Sequence, residues 1–281
     1  MTGTLFSFGH GYSAQALSHL LQPQGWRIFG TTRDPAQSPM VRASGAEPVV
    51  WPGQVPQFDG VTHLLISVAP NAAGDPVLAA LGEEIAERAA QFSWVGYLST
   101  TAVYGDHQGA WVDETTPATP TAQRGKWRVH AEEQWQNVPG LPTHIFRLAG
   151  IYGPGRGPFS KLKRVGMRRI IKPGQVFSRI HVADIAQVLA ASMSAPNPGA
   201  IYNVCDDEPV PPQDVIAYAA ELQGLPLPPE VPFDEADMTP MARSFYNENK
   251  RVRNDRIKDE LGVKLMYPNY RVGLQSLMVD G

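Results

Sequence analysis

Thr4-Leu5-Phe6-Ser7-Phe8-Gly9-His10-Gly11-Tyr12-Ser13-Ala14 is the stretch that decides the fold. An apolar run leads straight into G-x-G-x-x-A, and an amphipathic segment over 13–21 follows it. Strand, glycine turn and helix in that order make the phosphate-binding unit of dinucleotide folds. Gly9 permits the tight turn, Gly11 lets the backbone approach a pyrophosphate, and Ala14 allows close helix–strand packing. The helix N-terminus adds amide donors and a partial positive charge. The alternative is an ordinary glycine-rich βα turn.

Working outward, the spacing predicts strands over 5–8, 27–31, 48–51, 63–68, 94–99 and 143–148. Helices over 13–21, 76–91 and 121–136 separate them. This alternation predicts an α/β chain with a Rossmann-type doubly wound parallel sheet built from two mononucleotide-binding halves. After Gly150 the pattern breaks into Gly/Pro-rich loops, with a short basic helix over 159–169 and a later helix over 182–194. Residues 1–152, with 177–205 returning to them, are therefore assigned to a dinucleotide-binding domain. Residues 153–176 and 206–281 are assigned to a smaller, interleaved C-terminal substrate domain. Residues 225–232, rich in proline, are expected to follow a polyproline-like path outside any sheet. A last helix is expected from Asn254 as N-cap to near Gly262.

The chain of 281 residues is 43% hydrophobic, enough for one large α/β core or a core with a small addition. Its 24 basic and 27 acidic residues leave a net charge of −3, which argues against nucleic acid as a partner. No apolar run approaches the roughly 20 residues that span a bilayer, so no membrane partner is expected. The single cysteine, Cys205, has no partner for a disulfide, and no Cys/His spacing suggests a zinc site. A cytoplasmic setting is the expectation.

The second strand ends in Gly30-Thr31-Thr32-Arg33-Asp34, where a ribose-reading residue belongs. An acid there accepts from the ribose 2′-hydroxyl of NAD(H), whereas Arg33 with the threonine hydroxyls, Thr32 included, suits the 2′-phosphate of NADP(H). NADP(H) is favoured. Asp34 either caps the next turn or takes the NAD(H) role.

Leu98-Ser99-Thr100-Thr101-Ala102-Val103-Tyr104-Gly105, with Trp111-Val112-Asp113-Glu114-Thr115-Thr116-Pro117 behind it, resembles the strand-five region of the extended short-chain dehydrogenases/reductases. These form the NAD-dependent epimerase/dehydratase superfamily. Further matches are Arg147-Leu148-Ala149-Gly150-Ile151-Tyr152-Gly153-Pro154, Arg179-Ile180-His181-Val182-Ala183-Asp184-Ile185 and Tyr202-Asn203-Val204-Cys205-Asp206-Asp207-Glu208-Pro209, so the resemblance spans nearly the whole chain. It implies an oxidoreductase or epimerase acting on a small or nucleotide-linked substrate. It also implies that Gly9, Gly11, Tyr12, Ala14, Thr32, Arg33 and Val68 bind the cofactor, that Thr100 contacts the reacting hydroxyl or carbonyl, and that Thr101, Tyr104 and Arg179 bind substrate. Members pair through helices matching 76–91 and 121–136, which implies a homodimer.

The superfamily's Y-x-x-x-K aligns with Arg124-Gly125-Lys126-Trp127-Arg128, so Arg124 stands for the tyrosine and Arg128 for the lysine. Arginine does not deprotonate in a protein and cannot replace the proton donor. Three readings stay open. Lys126 or His130 supplies the proton, although neither shares the face that Arg124 and Arg128 share at i,i+4. Alternatively, the arginines bind the anionic cofactor or substrate while Thr100, Tyr104 or a water does chemistry. Or the protein binds the dinucleotide without turnover, as a sensor or regulatory protein. Thr100, and Arg124 and Arg128 at the motif positions, are the candidate catalytic residues.

Lys161, Lys163, Arg164, Arg168, Arg169 and Lys172 put six positive charges on the 159–169 segment and its end, opposite Phe159, Leu162, Val165 and Ile170. They suit an anionic substrate. Asp184 is expected as an N-cap of the 182–194 helix, His181 as structural, and His107 as a surface-loop histidine.

Overall fold

Seven strands pair in parallel in the order β11-β7-β5-β4-β1-β2-β3. They are β1 (Thr4–Phe8), β2 (Arg27–Thr32), β3 (Glu47–Val50), β4 (His63–Ile66), β5 (Trp94–Thr100), β7 (Thr143–Leu148) and β11 (Ile201–Val204). The computed structural model describes residues 2–162 and 166–279. The strand order reverses between β1 and β4, which opens a crevice at the carboxyl ends of those strands.

Both faces of the sheet are buried, and side chains alternate between them with the period of two that a strand imposes. Leu5, Leu65, Trp94, Leu98 and Phe146 enter one core, packed by α1 (Tyr12–Leu21) and α6 (Val182–Ser194). Phe6, Phe8, Leu64, Ile66, Val95, Tyr97 and Ile145 enter the other, packed by α3 (Pro76–Glu87) and α4 (Gln123–Gln136). The doubly wound fold expected from the alternation is the observed one. All six expected strands are present, with β4 ending at Ile66 rather than at Val68.

Outside the sheet, three short parallel pairs join β8 (Gly150–Tyr152) to β10 (Arg179–His181), β9 (Arg169–Ile171) to β12 (Glu230–Pro232), and β6 (Trp111–Val112) to β13 (Arg251–Val252). The β9–β12 pair corrects the expectation that the proline-rich 225–232 segment stays out of any sheet: its last three residues pair with β9. The basic helix expected over 159–169 is shorter, α5 (Pro158–Leu162). Gly166 has φ 78°, a left-handed turn that stops a helix, and Arg169 already belongs to β9. Arg168 and Lys172 are thus off the helix; Lys163, Arg164 and Val165 lie outside the described residues.

Asn254 precedes α9 (Asp255–Asp259) as expected, though its amide donates to Cys205 O and Asp207 Oδ1 and does not cap the helix. It is not the last helix: α10 (Tyr270–Val279) follows and packs on α7 (Pro212–Leu222) through Tyr152, Val215, Ala219, Tyr270 and Leu274. Asp184 is not the N-cap of α6. His181 Nδ1 accepts from Ala183 N in that role, while the buried Asp184 carboxylate accepts from Met266 N (2.7 Å) and Tyr267 N (3.1 Å), tying α6 to the loop before α10. Burial pushes the Asp184 carboxyl up to about 6.

Candidate functional site

The crevice at the carboxyl ends of β1 and β4 is floored by the glycine turn. Gly9 sits at φ 76°, and a Cβ there would lie 3.0 Å from Val68 N, so both conformation and space demand glycine. Gly11 is the N-cap of α1 at φ −93° and ψ −159°, a region open to any residue. A Cβ on Gly11 would have Gly9 O as its one neighbour, at 3.8 Å. Glycine here therefore leaves room that the protein itself does not use. Ala14 is buried beneath the turn, in the core where α1 meets α6.

His10 was not singled out by sequence reasoning, yet it fixes this turn. Its backbone N donates to Thr31 O (3.0 Å), and its ring inserts between α1, β2 and α2 (Ser38–Ala43). Ser44 donates its hydroxyl proton to Val41 O, so the imidazole Nε2–H donates to Ser44 Oγ at 2.9 Å. Burial, with the charge of His19, lowers the imidazole to about 4 and keeps it neutral. The signal was Gly30 in β2: a Cβ there would lie 2.5 Å from His10 Cγ. Gly9 N in turn donates to Thr31 Oγ1 at 2.7 Å.

At the end of β2, the Asp34 carboxylate accepts from Ala36 N (2.9 Å) and caps the short helical turn Pro35–Gln37. Its backbone N donates to Thr32 Oγ1. Asp34 is thus engaged as a cap, whereas Arg33 is exposed with no carboxylate partner among the described residues. Val68 lies against Gly9.

Thr100 ends β5, and its Oγ1 accepts from Ala102 N at 3.2 Å, capping the turn Thr101–Tyr104. Thr101 is half-buried there. Tyr104 is not at the crevice surface: it is fully buried and donates its hydroxyl proton to Asn203 Oδ1 at 2.7 Å, with the Arg147 guanidinium over its ring. Burial pushes its phenol up to about 12, which keeps it protonated near neutrality. His107 is tied back to Tyr104 O through Nε2 at 3.0 Å. Arg179 is half-buried and donates to Phe177 O at 2.9 Å, holding a loop.

Helix α4 carries the two arginines on one face, but they turn to different partners. Arg128 Nη1 donates to Leu98 O (2.6 Å) and Tyr97 Oη (3.1 Å) at the end of β5. Arg124 is exposed, with its guanidinium 5.4 Å from the Phe245 ring centroid beside α8 (Pro240–Ser244). Lys126 and His130 are exposed on another face of the helix. Beneath them Glu132 accepts from Arg147 at both oxygens (Nη2 to Oε2 2.7 Å, Nε to Oε1 3.2 Å) and from Ser99 Oγ. The pair is about 95% buried and pins α4 to β5 and β7.

Elsewhere, an open groove of about 590 Å³ is lined by Asp214, Tyr218, Leu225, Leu227, Tyr270 and Arg271. None of these belongs to the glycine turn, β5 or α4, so the groove is separate from the crevice. Among the described residues no group of three or more His, Cys, Asp or Glu could hold a metal ion. No described helix is long and apolar enough to cross a membrane.

With this geometry in hand, comparison with solved structures is decisive for the fold. A dTDP-glucose 4,6-dehydratase from Bacillus anthracis in complex with NAD superposes with a TM-score of 0.78 at 15% identity, over 99% of this chain and 97% of that one. A human epimerase family protein, SDR39U1 with NADPH, superposes at 0.74 with 16% identity over 99% of each chain. These neighbours are proteins of the epimerase and dehydratase kind, and the likeness is one of fold, the Rossmann-type doubly wound sheet. A functionally unknown conserved protein from Silicibacter pomeroyi shares 78% identity over 99% of each chain at a TM-score of 0.97. Protein YeeZ of Escherichia coli (strain K12) shares 28% identity over 93% of this chain and 95% of its own. No protein-family model matches the chain.

Proposed function

We propose that the chain binds NADP(H) at the glycine turn and acts as an atypical short-chain dehydrogenase/reductase, an oxidoreductase or epimerase of a small or nucleotide-linked anionic substrate. The observation that carries this reading is Gly11 at the N-terminus of α1, where an added Cβ would meet open space with Gly9 O alone within 4 Å, so the backbone is open to a ligand. Arg33, exposed at the end of β2, supports the NADP(H) reading, while Asp34 Oδ1 caps the next turn and the Thr32 hydroxyl is bonded to the Asp34 backbone. A bound nicotinamide would donate or accept a hydride. Residues 153–176 and 206–281 form the substrate side of this proposal, which also takes the protein as cytoplasmic and homodimeric.

The chain's own residues would bind and orient rather than move a proton. Thr100 lies at the carboxyl end of β5, where ligands of doubly wound sheets sit. Arg128, fixed to Leu98 O and Tyr97, and Arg124 beside Phe245 offer fixed positive charge to an anion. Neither arginine supplies a proton, so the proton that balances hydride transfer would come from, or go to, a bound water. Labelled NADPH incubated with a panel of carbonyl compounds and nucleotide sugars is expected to yield label in a product. A second reading, a dinucleotide sensor without turnover, is favoured by the two arginines in place of the tyrosine and lysine; dinucleotide binding with no transfer across the panel supports it.

A further inference from the structure

A strap from a distant part of the chain is latched onto the glycine turn. Tyr12, the first residue of α1, donates its hydroxyl proton to Pro154 O at 2.9 Å, across 142 positions. Pro154 belongs to the loop after β8, closed by reciprocal backbone bonds between Gly153 and Arg156 (2.8 and 3.0 Å). Gly155 turns this loop at φ 70°. Gly153 is where strap and turn touch: a Cβ there would lie 2.5 Å from Tyr12 Oη and 3.4 Å from His181 Nε2.

The geometry presents Arg156 to the cofactor site. Its guanidinium lies 5.6 Å from the Tyr12 ring centroid, beside the N-terminus of the ten-residue helix α1. It is exposed and makes no hydrogen bond or ion pair with another described residue. Beneath the strap, His181 is 3% exposed and its Nδ1 accepts from Ala183 N. Burial keeps this imidazole neutral, so its proton is on Nε2, an N–H with no acceptor among the described residues. An exposed cation thus lies beside the N-terminus of α1, and His181 Nε2, an unpartnered buried donor, faces Gly153 where strap and turn touch. That set suits an anion.

We propose that Arg156 is a second cation of the dinucleotide site, closing over the pyrophosphate received by the turn Gly9–Ala14, with Tyr12 as the residue that positions it. The assignment rests on the dinucleotide reading above and divides the labour: Arg33 reads the 2′-phosphate, Arg156 the pyrophosphate. It also makes the strap after β8 part of cofactor binding.

Calorimetric titration of wild type, Arg156→Ala and Tyr12→Phe with NADPH, NADH, ADP-ribose and adenosine 2′,5′-bisphosphate tests it. Arg156→Ala is expected to weaken the first three ligands by a common factor of about 10- to 100-fold, the range of a lost charged hydrogen bond. Adenosine 2′,5′-bisphosphate, which keeps only the adenosine-side phosphate of the pyrophosphate, should lose affinity by a smaller factor. Tyr12→Phe should weaken the same three ligands by a smaller factor. Unchanged affinities in Arg156→Ala, or an equal loss on adenosine 2′,5′-bisphosphate, would overturn the proposal while leaving the dinucleotide site intact. Wild type binding none of the four would overturn the dinucleotide reading itself, and the role of Arg156 with it.

Discussion

The β1–α1–β2 unit and the β5–α4 unit meet at one crevice but use their side chains in opposite ways. In the first, small residues keep the crevice clear: Gly11 leaves open space, Gly30 makes room for His10, and Ala14 sinks below the turn. In the second, large side chains are tied to other parts of the chain. Arg128 is bonded into the end of β5, Arg124 reaches out to Phe245, and Tyr104, the phenol nearest in sequence to Thr100, is buried against Asn203. The two units are held by separate networks. The His10 network fixes one and the Glu132–Arg147 pair fixes the other.

If that separation is real, each unit can be broken alone. Gly11→Val should abolish dinucleotide binding, because the new side chain enters that open space and not the protein. The backbone there is already extended, so unfolding in denaturant should stay within about 1 kcal/mol of wild type, the scale of an N-cap change. Retained binding, or a collapsed fold, would break the comparison. Glu132→Ala should do the reverse: leaving Arg147 buried without its partner costs about 3–5 kcal/mol of stability. Dinucleotide affinity of the folded fraction should be kept. An unchanged denaturation midpoint would show that the pair does not hold α4.

A smaller effect sharpens the account of His10. Its pKa is about 4 in the folded protein against an ordinary 6.5, so between these values the unfolded chain binds a proton that the folded chain does not. Its contribution is fully present above about pH 6.5 and is lost as pH falls toward 4. The stability advantage of wild type over His10→Gln should therefore shrink by about 2–3 kcal/mol between pH 7.5 and 4.5. A constant difference would mean that the imidazole is not held neutral.

Legibility in the sequence followed the same division. The strands of the sheet were readable because each is bounded by turn residues and buried on both faces, so its apolar run stands out. The glycine turn was readable because its chemistry is local. His10 was missed because its partners Gly30, Thr31 and Ser44 come from other elements, and only the tertiary fit shows that Gly30 makes room for an imidazole. Tyr104 was misplaced for the related reason that Asn203, which accepts its proton, lies 99 positions away. The three-residue strands β9 and β12 have no periodicity to read, and their pairing is wholly a matter of long-range contact. Gly166 was the available sign that the basic helix stops early. Helices α7 and α10 lie in the Pro-interrupted C-terminal part, where they bury a small core against each other rather than against the sheet.

The proposed NADP(H) site stands beside a helix that carries Arg124 and Arg128 rather than a tyrosine and a lysine. Calorimetric titration of the cofactor-stripped protein with NADPH and NADH in parallel tests it most directly. The account predicts binding of both, with a preference for NADPH that Arg33→Ala reduces by about 10- to 100-fold. Preference for NADH would transfer the ribose role away from Arg33, and absence of binding by either would contradict the account.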